Sequence, residues 1–205
     1  MKKFISTIPL QPEGQLKINV YSAADNEILE NSLETRFPIM IPLSLSVKKD
    51  EEIMFICIVK DNPNAEHNLG YFKEEADALA KKIGFKYNVK TITVPDNEHG
   101  EDLEAHLDTF EKLIDMFEDN DILTACTTYG TKPTPMVELM GLSYAKNVLK
   151  NVYIDRVVYG RFDHSTKKAF IHDITSLFYM NEIISKFSPG MGDSPKNVIK
   201  ALLGK

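Results

Sequence analysis

Cysteine is scarce in this chain: only Cys57 and Cys126 occur in 205 residues. Each sits in an apolar run, FICIV and LTACT, which suits a small buried thiol better than a disulfide framework. Long apolar runs are missing as well. The longest, FPIMIPLSLSV at 37–47, is shorter than the roughly 18–20 residues of a membrane span and carries two prolines. The N-terminal MKKFISTIPLQPEG is broken by Ser6, Thr7 and Pro9 and lacks a small-residue cleavage site, so it does not read as a secretion signal. A cytoplasmic protein with no membrane partner is the expectation. Positive charge is also in short supply, 24 Lys+Arg against 30 Asp+Glu, a formal net charge of −6. That balance argues against a broad basic face holding long nucleic acid. It leaves open a local pocket for one anion, because net charge says nothing about distribution.

Several catalytic signatures are absent. G-x-G-x-x-G does not occur, so a dinucleotide enzyme has no support, and neither does the P-loop pattern G-x-x-x-x-G-K-[ST]. The nucleophile elbow G-x-S-x-G is missing too. The five histidines fall in neither H-x-x-x-H nor H-E-x-x-H spacing, and no zinc site or other metal centre is expected. His99 and His106 lie in an acidic helical stretch and read as solvated. His172, beside Phe170 and Ile171 in a late strand, reads as structural.

What is present is ordinary globular composition, 43% hydrophobic and 26% charged, which excludes disordered and fibrous classes. The length suits one domain. A short strand and loop are expected at 2–10, and strands at 15–21, where Leu16, Ile18 and Val20 alternate with polar residues, 53–59, 87–94, 121–127, 152–159 and 168–174. Helices are expected at 37–47, 71–83 (ended by Gly84), 100–118, 134–149 and 175–187, with KDNPNAEHN at 60–68 as a loop. Two helices carry clear apolar stripes: Leu103, Leu107, Phe110, Ile114 and Phe117 on one, and Met136, Met140, Tyr144 and Val148 on the other. The alternation of strand and helix predicts an α/β, Rossmann-like domain over 1–187, its mostly parallel sheet flanked by helices with a late antiparallel hairpin near 163–167. Residues 188–205 read as a linker, SPGMGDSP, and a short helix.

In such sheets ligands bind outside the carboxyl ends of the strands. The loop after 121–127 stands out there: Thr127, Thr128, Tyr129, Gly130, Thr131, Lys132, Pro133 and Thr134. Gly130 allows a tight turn, Thr131 suits a helix cap and Pro133 a first helical turn. Hydroxyls and a lysine at a helix N-terminus make a phosphate cradle; the same residues also suit a plain, well-capped turn. Charge is segregated along the chain. Residues 96–121 hold eleven Asp and Glu against one Lys, whereas 131–168 hold seven Lys and Arg against three. The acidic stretch reads as a charged helix face.

The run DILTACTTYGTKPTPMVELMGLSYAKN resembles the central motif of CRISPR-associated Rossmann-fold (CARF) domains. In that family an apolar strand ends in an Asp/Asn-x-Thr-x-Gly-Thr-Lys type of loop before a helix. DRVVYGRFD at 155–163 is similar to the family's strand ending in Tyr-Gly, and AFIHDIT at 169–175 to the strand that enters a helix through Asp-Ile-Thr. The resemblance is specific over 121–175 and weak in the N-terminal part.

The resemblance implies a homodimer that binds a cyclic oligoadenylate, the second messenger of type III CRISPR antiviral signalling, across its two-fold axis, with no cofactor. It places Thr127, Thr128, Tyr129, Gly130, Thr131, Lys132 and Thr134 at the ligand, Ser6 and Thr7 as second contributors, and Tyr159 and Gly160 in the pocket wall or dimer. Many relatives carry a C-terminal effector, often a ribonuclease with Arg-x4–6-His. None of Arg36, Arg156 and Arg161 has that spacing, and the residues after 188 are too few for such a domain. A stand-alone sensor and a sensor cut from a longer protein both fit. Some relatives cleave the ring without metal, by attack of a ribose 2′-OH on the adjacent phosphate. In that case Lys132 would stabilise the phosphorane and Thr128, Thr131 or Ser6 would orient the ribose, with no histidine evidently placed as a base. A different small anion, or a transcriptional regulator lacking its DNA-binding part, is the third reading.

Overall fold

The computed structural model describes residues 1–187 and 195–204. The chain divides into two compact units, Met1–Thr175 and Ser176–Lys205. The first is built on one eight-stranded sheet: β1 (Lys2–Thr7), β2 (Asn19–Ala23), β3 (Glu34–Thr35), β4 (Glu52–Lys60), β5 (Lys86–Val94), β6 (Ile122–Cys126), β7 (Tyr153–Asp163) and β8 (Lys168–Asp173). The spatial order is β3-β2-β8-β7-β6-β1-β4-β5. All neighbours are parallel except β7 with β8 and β2 with β3. Helices α1 (Met40–Ser46), α2 (Pro63–Ile83), α3 (Leu103–Ile114) and α4 (Pro133–Val148) flank it. The architecture is therefore α/β and Rossmann-like, with an antiparallel edge, as the strand–helix alternation predicts.

The alternation of side chains along a strand sorts them between the two faces. Ile53, Phe55, Cys57 and Val59 of β4 join Phe4 and Ile8, the α1 residues Met40, Ile41 and Leu43, and Phe72, Ala76 and Leu79 of α2 in one core. Phe55 sits edge-on to Phe72 with ring centroids 5.0 Å apart. Burying each such ring stabilises the fold by about 1.5–3 kcal/mol. On the other face α3 and α4 pack closely: a Cβ added to Gly141 would lie 2.7 Å from Leu113 Cδ2, so a glycine is what lets the two helices approach.

Three local expectations are corrected. The stretch 60–68 is not a loop, because α2 begins at Pro63. Asn62 caps it, its side chain accepting a 2.8 Å bond from the Asn64 amide, and Pro63 occupies the first turn. The Asn-Pro pair is thus a helix start, since Pro needs no amide partner there. In the N-terminal part, the strand lies at Asn19–Ala23 and buries Tyr21, while Ile18 and Val20 are exposed. A one-residue change of phase exchanges the two faces of a strand. Finally, much of the two helical stripes points outward, although Phe117 is buried and Phe110, Ile114 and Tyr144 are half-buried. Leu103 and Leu107 of α3 are 73% and 52% exposed, and Met136, Met140 and Val148 of α4 are exposed as well. The inward faces are Thr109 and Leu113 on α3 and Val137, Glu138, Gly141, Leu142 and Ala145 on α4.

In the second unit, α5 (Thr175–Ile184) begins at the unit boundary and α6 (Pro195–Leu202) follows. Most of the expected SPGMGDSP linker lies outside the described residues. Among the described residues no helix is long and apolar enough to cross a membrane.

Candidate functional site

From β1 the chain order runs outward in both directions, to β4 and β5 on one side and to β6, β7 and β8 on the other. The loops leaving β1 and its neighbours therefore diverge and open a crevice at the strands' carboxyl ends, the topological switch point of the sheet. A cavity of about 390 Å³ lies there. Its walls come from the end of β1 and the segment after it (Thr7 to Gln11), from Ile58 and Lys60 of β4, from Val94 of β5, from Gly100 to Thr109 around the start of α3, and from the Thr128–Val137 loop and helix start.

The segment after β1 is tied down by α2. Asn68 is fully buried and its amide donates 2.9 Å bonds to the carbonyls of both Pro9 and Gln11. The loop after β6 is tied to β7: the Gly160 amide donates a 2.7 Å bond to Thr128 Oγ1, and the Cys126 sulfur lies 3.0 Å from the same hydroxyl. Gly160 is required by this approach. A Cβ there would lie 2.4 Å from Pro38 Cγ and 3.2 Å from Thr128 Oγ1. Gly130 turns the loop at φ +102°, the left-handed region, and the Thr134 amide donates to the Thr131 carbonyl (3.0 Å) as α4 begins.

The structure brings together Thr7, Thr128, Tyr129, Gly130, Thr131 and Thr134 at the cavity wall. It does not bring Ser6, Thr127, Lys132, Tyr159 or Gly160 there. Ser6 and Thr127 are buried in the sheet, with Thr127 Oγ1 directed at the Val158 carbonyl (3.4 Å). Lys132 is exposed at the cap of α4, outside the wall. Tyr159 stands 38% exposed beside His172, and Gly160 acts through Thr128. Tyr129 contributes wall, but its hydroxyl donates to the Arg36 carbonyl (2.7 Å) rather than to the cavity. Burial, reinforced by Tyr21 and Cys126, pushes that phenol well above its ordinary range, so it stays neutral.

Two cavity residues escape sequence reasoning. Lys60 closes β4 and pairs with Glu101 and, at 3.9 Å, with Asp96. His106 is not solvated: its side chain is 15% exposed, and its Nε2 is buried with no hydrogen-bond partner among the described residues. Glu101 Oε2 lies 3.9 Å away, beyond hydrogen-bonding distance. Burial pushes the Glu101 carboxyl up, but the Lys60 ammonium and the Thr131 hydroxyl outweigh that and hold it below its ordinary value. Among the described residues the site thus combines hydroxyls, one ammonium paired with the Glu101 carboxylate, and one imidazole around a cavity at a helix N-terminus, and its hydroxyl, ammonium and imidazole donors suit a phosphate-bearing ligand. Neither the known family models nor the curated proteins give a match to this chain.

Proposed function

We propose that this chain is a cyclic oligoadenylate-binding domain of the CARF type that acts as a homodimer in type III CRISPR signalling in the cytoplasm. The observation that carries this reading is the coincidence of motif and cavity. The Thr128–Thr134 stretch, which bears the family resemblance, forms one wall of the crevice at the switch point. The outward stripes on α3 and α4 support a dimer. Phe110 and Tyr144 meet edge-on at 6.4 Å and join the two stripes into one apolar surface, next to cavity residues His106 and Thr134 on the same helices. Such a patch is typical of an interaction face. A two-fold axis there would duplicate each donor for a symmetric ring.

A second reading, a metal-independent ring nuclease, is favoured by one observation, the unpartnered Nε2 of His106 in the cavity. The ribose 2′-oxygen would attack the adjacent phosphorus and the P–O5′ bond would break, leaving a 2′,3′-cyclic phosphate and a 5′-hydroxyl. The proton leaves the 2′-OH and one is returned to O5′; an imidazole can carry it. Incubation with cyclic tri-, tetra- and hexa-adenylate without metal, with products resolved, separates the readings. Bound intact ring supports the sensor, and linear products with cyclic phosphate ends support the nuclease. No binding of any ring overturns both.

A further inference from the structure

Among the described residues Lys60 is the one ammonium in the cavity wall, and it is already occupied. It ends β4 and is held by Glu101, which lies just before α3, 41 residues further along the chain. The Glu101 carboxylate has the Lys60 ammonium as its partner and faces His106 Nε2 at 3.9 Å, and the Thr131 hydroxyl, 3.3 Å from that of Thr134, lines the same cavity and helps to hold the carboxyl below its ordinary value. An ammonium, a hydroxyl and a buried imidazole nitrogen with no partner of its own are the groups that would surround a phosphate. The segment that carries Glu101 is shaped to deliver it. A Cβ on Gly100 would lie 1.9 Å from the Pro95 carbonyl oxygen, and the Gly100 amide closes a turn onto the Asn97 carbonyl (3.0 Å), so glycine is required there. The Asn62 side chain ties Asp96 to the cap of α2. Glu101 itself is 42% exposed at the cavity mouth, so it can swing into water at little cost.

We propose that Lys60, Thr131 and His106 form a phosphate subsite of the cavity and that the Glu101 carboxylate is a built-in stand-in for the phosphate, displaced when the ligand enters. The subsite rests on the reading of this cavity as a site for a phosphate-bearing ligand, but not on that ligand being a ring. It moves the anion-binding lysine from Lys132, outside the wall, to Lys60 within it. It also gives the acidic stretch before α3 a role as a gate, one that keeps weaker anions out by competing with them.

Calorimetric titration of the whole chain with adenosine monophosphate and with cyclic tetra-adenylate tests it, using the wild type, Glu101→Gln, Lys60→Ala and His106→Ala. Glu101→Gln keeps the size of the side chain and removes the competing charge, so it should tighten both ligands by at least ~5-fold. Lys60→Ala should weaken both by at least ~10-fold, and His106→Ala should weaken them to a smaller degree. Unchanged or weaker adenosine monophosphate binding by Glu101→Gln overturns the proposal, and that variant changes an exposed side chain and leaves the core untouched. Cyclic tetra-adenylate binding that ignores Glu101 and Lys60 also overturns it while leaving the functional reading intact. Adenosine monophosphate binding that follows the predicted order, with no binding of any ring, supports the subsite and overturns the ring as ligand.

Discussion

The Thr7 hydroxyl donates a 2.9 Å hydrogen bond to Oε1 of Glu138, joining the end of β1 to the early turns of α4 beneath the cavity. Glu138 is fully buried, and its Oε2 has no partner among the described residues. Burial pushes its carboxyl up to about 8, the bond from Thr7 opposing part of that rise. The group is therefore neutral in the folded protein near pH 7, and it adds no negative charge behind Thr7 and Val137 of the cavity wall.

Stability should consequently depend on pH in a definite sense. The folded chain keeps a proton on Glu138 that the unfolded chain releases above its ordinary value near 4.3. The stabilising effect of that proton is complete below about 4 and is lost as pH rises towards about 8. Glu138→Gln should remove the dependence and raise stability at pH 8 by about 1–3 kcal/mol. Urea denaturation of both proteins at pH 5 and pH 8 checks this. An equal loss in the two proteins between those pH values would contradict it.

Gly160 should tolerate no side chain. Gly160→Ala places a Cβ against Pro38 and crowds the Thr128 hydroxyl that the Gly160 amide holds. A cost of about 1–3 kcal/mol is expected for such overpacking, together with weakened ligand binding, because the loop after β6 loses its anchor. Denaturant midpoints and titrations of the same preparation read both effects. A variant with native stability and native affinity would show that the loop does not depend on this contact.

The two thiols should be silent. Cys57 and Cys126 are free and buried, and burial pushes them to about 12 and about 11, Cys126 against an opposing hydrogen bond with Thr128. The thiolate is the reactive form. A thiol reagent at pH 8 should label neither in the folded chain and both in denaturant. Rapid labelling of Cys126 in the folded state would mean that the β6 loop opens readily.

Apart from the two-residue β3, the order of strands and helices was legible in the sequence because apolar runs such as IMFICIV and turn residues such as Gly84 and Gly130 act locally. The Thr128–Thr134 loop was legible for the same reason. The direction of the α3 and α4 stripes was not. Periodicity shows that one side of a helix is apolar, but not whether this chain or another covers it, and here the inward side contains a glycine and a carboxyl group. Lys60 and His106 were hidden for a different reason. They meet only because β4 ends and α3 begins at the same crevice, and no sequence spacing encodes that meeting. His106 in particular lies among acidic neighbours that suggest solvent.

The apolar α3–α4 surface leads to a prediction about assembly. Leu107→Glu combined with Met140→Glu puts charges on two exposed apolar positions and leaves the inward faces untouched. Light scattering at micromolar concentration should give a dimer for the wild type and a mass near 23.2 kDa for the double variant. A wild type that is already monomeric would exclude the two-fold arrangement.

Isothermal titration of the wild-type chain with cyclic tetra-adenylate decides whether the cavity takes a ring. Saturable binding with one ring for every two chains is expected, lost or strongly weakened in Lys60→Ala. Absence of heat with rings of three, four and six nucleotides, from a protein shown to be folded, would contradict it.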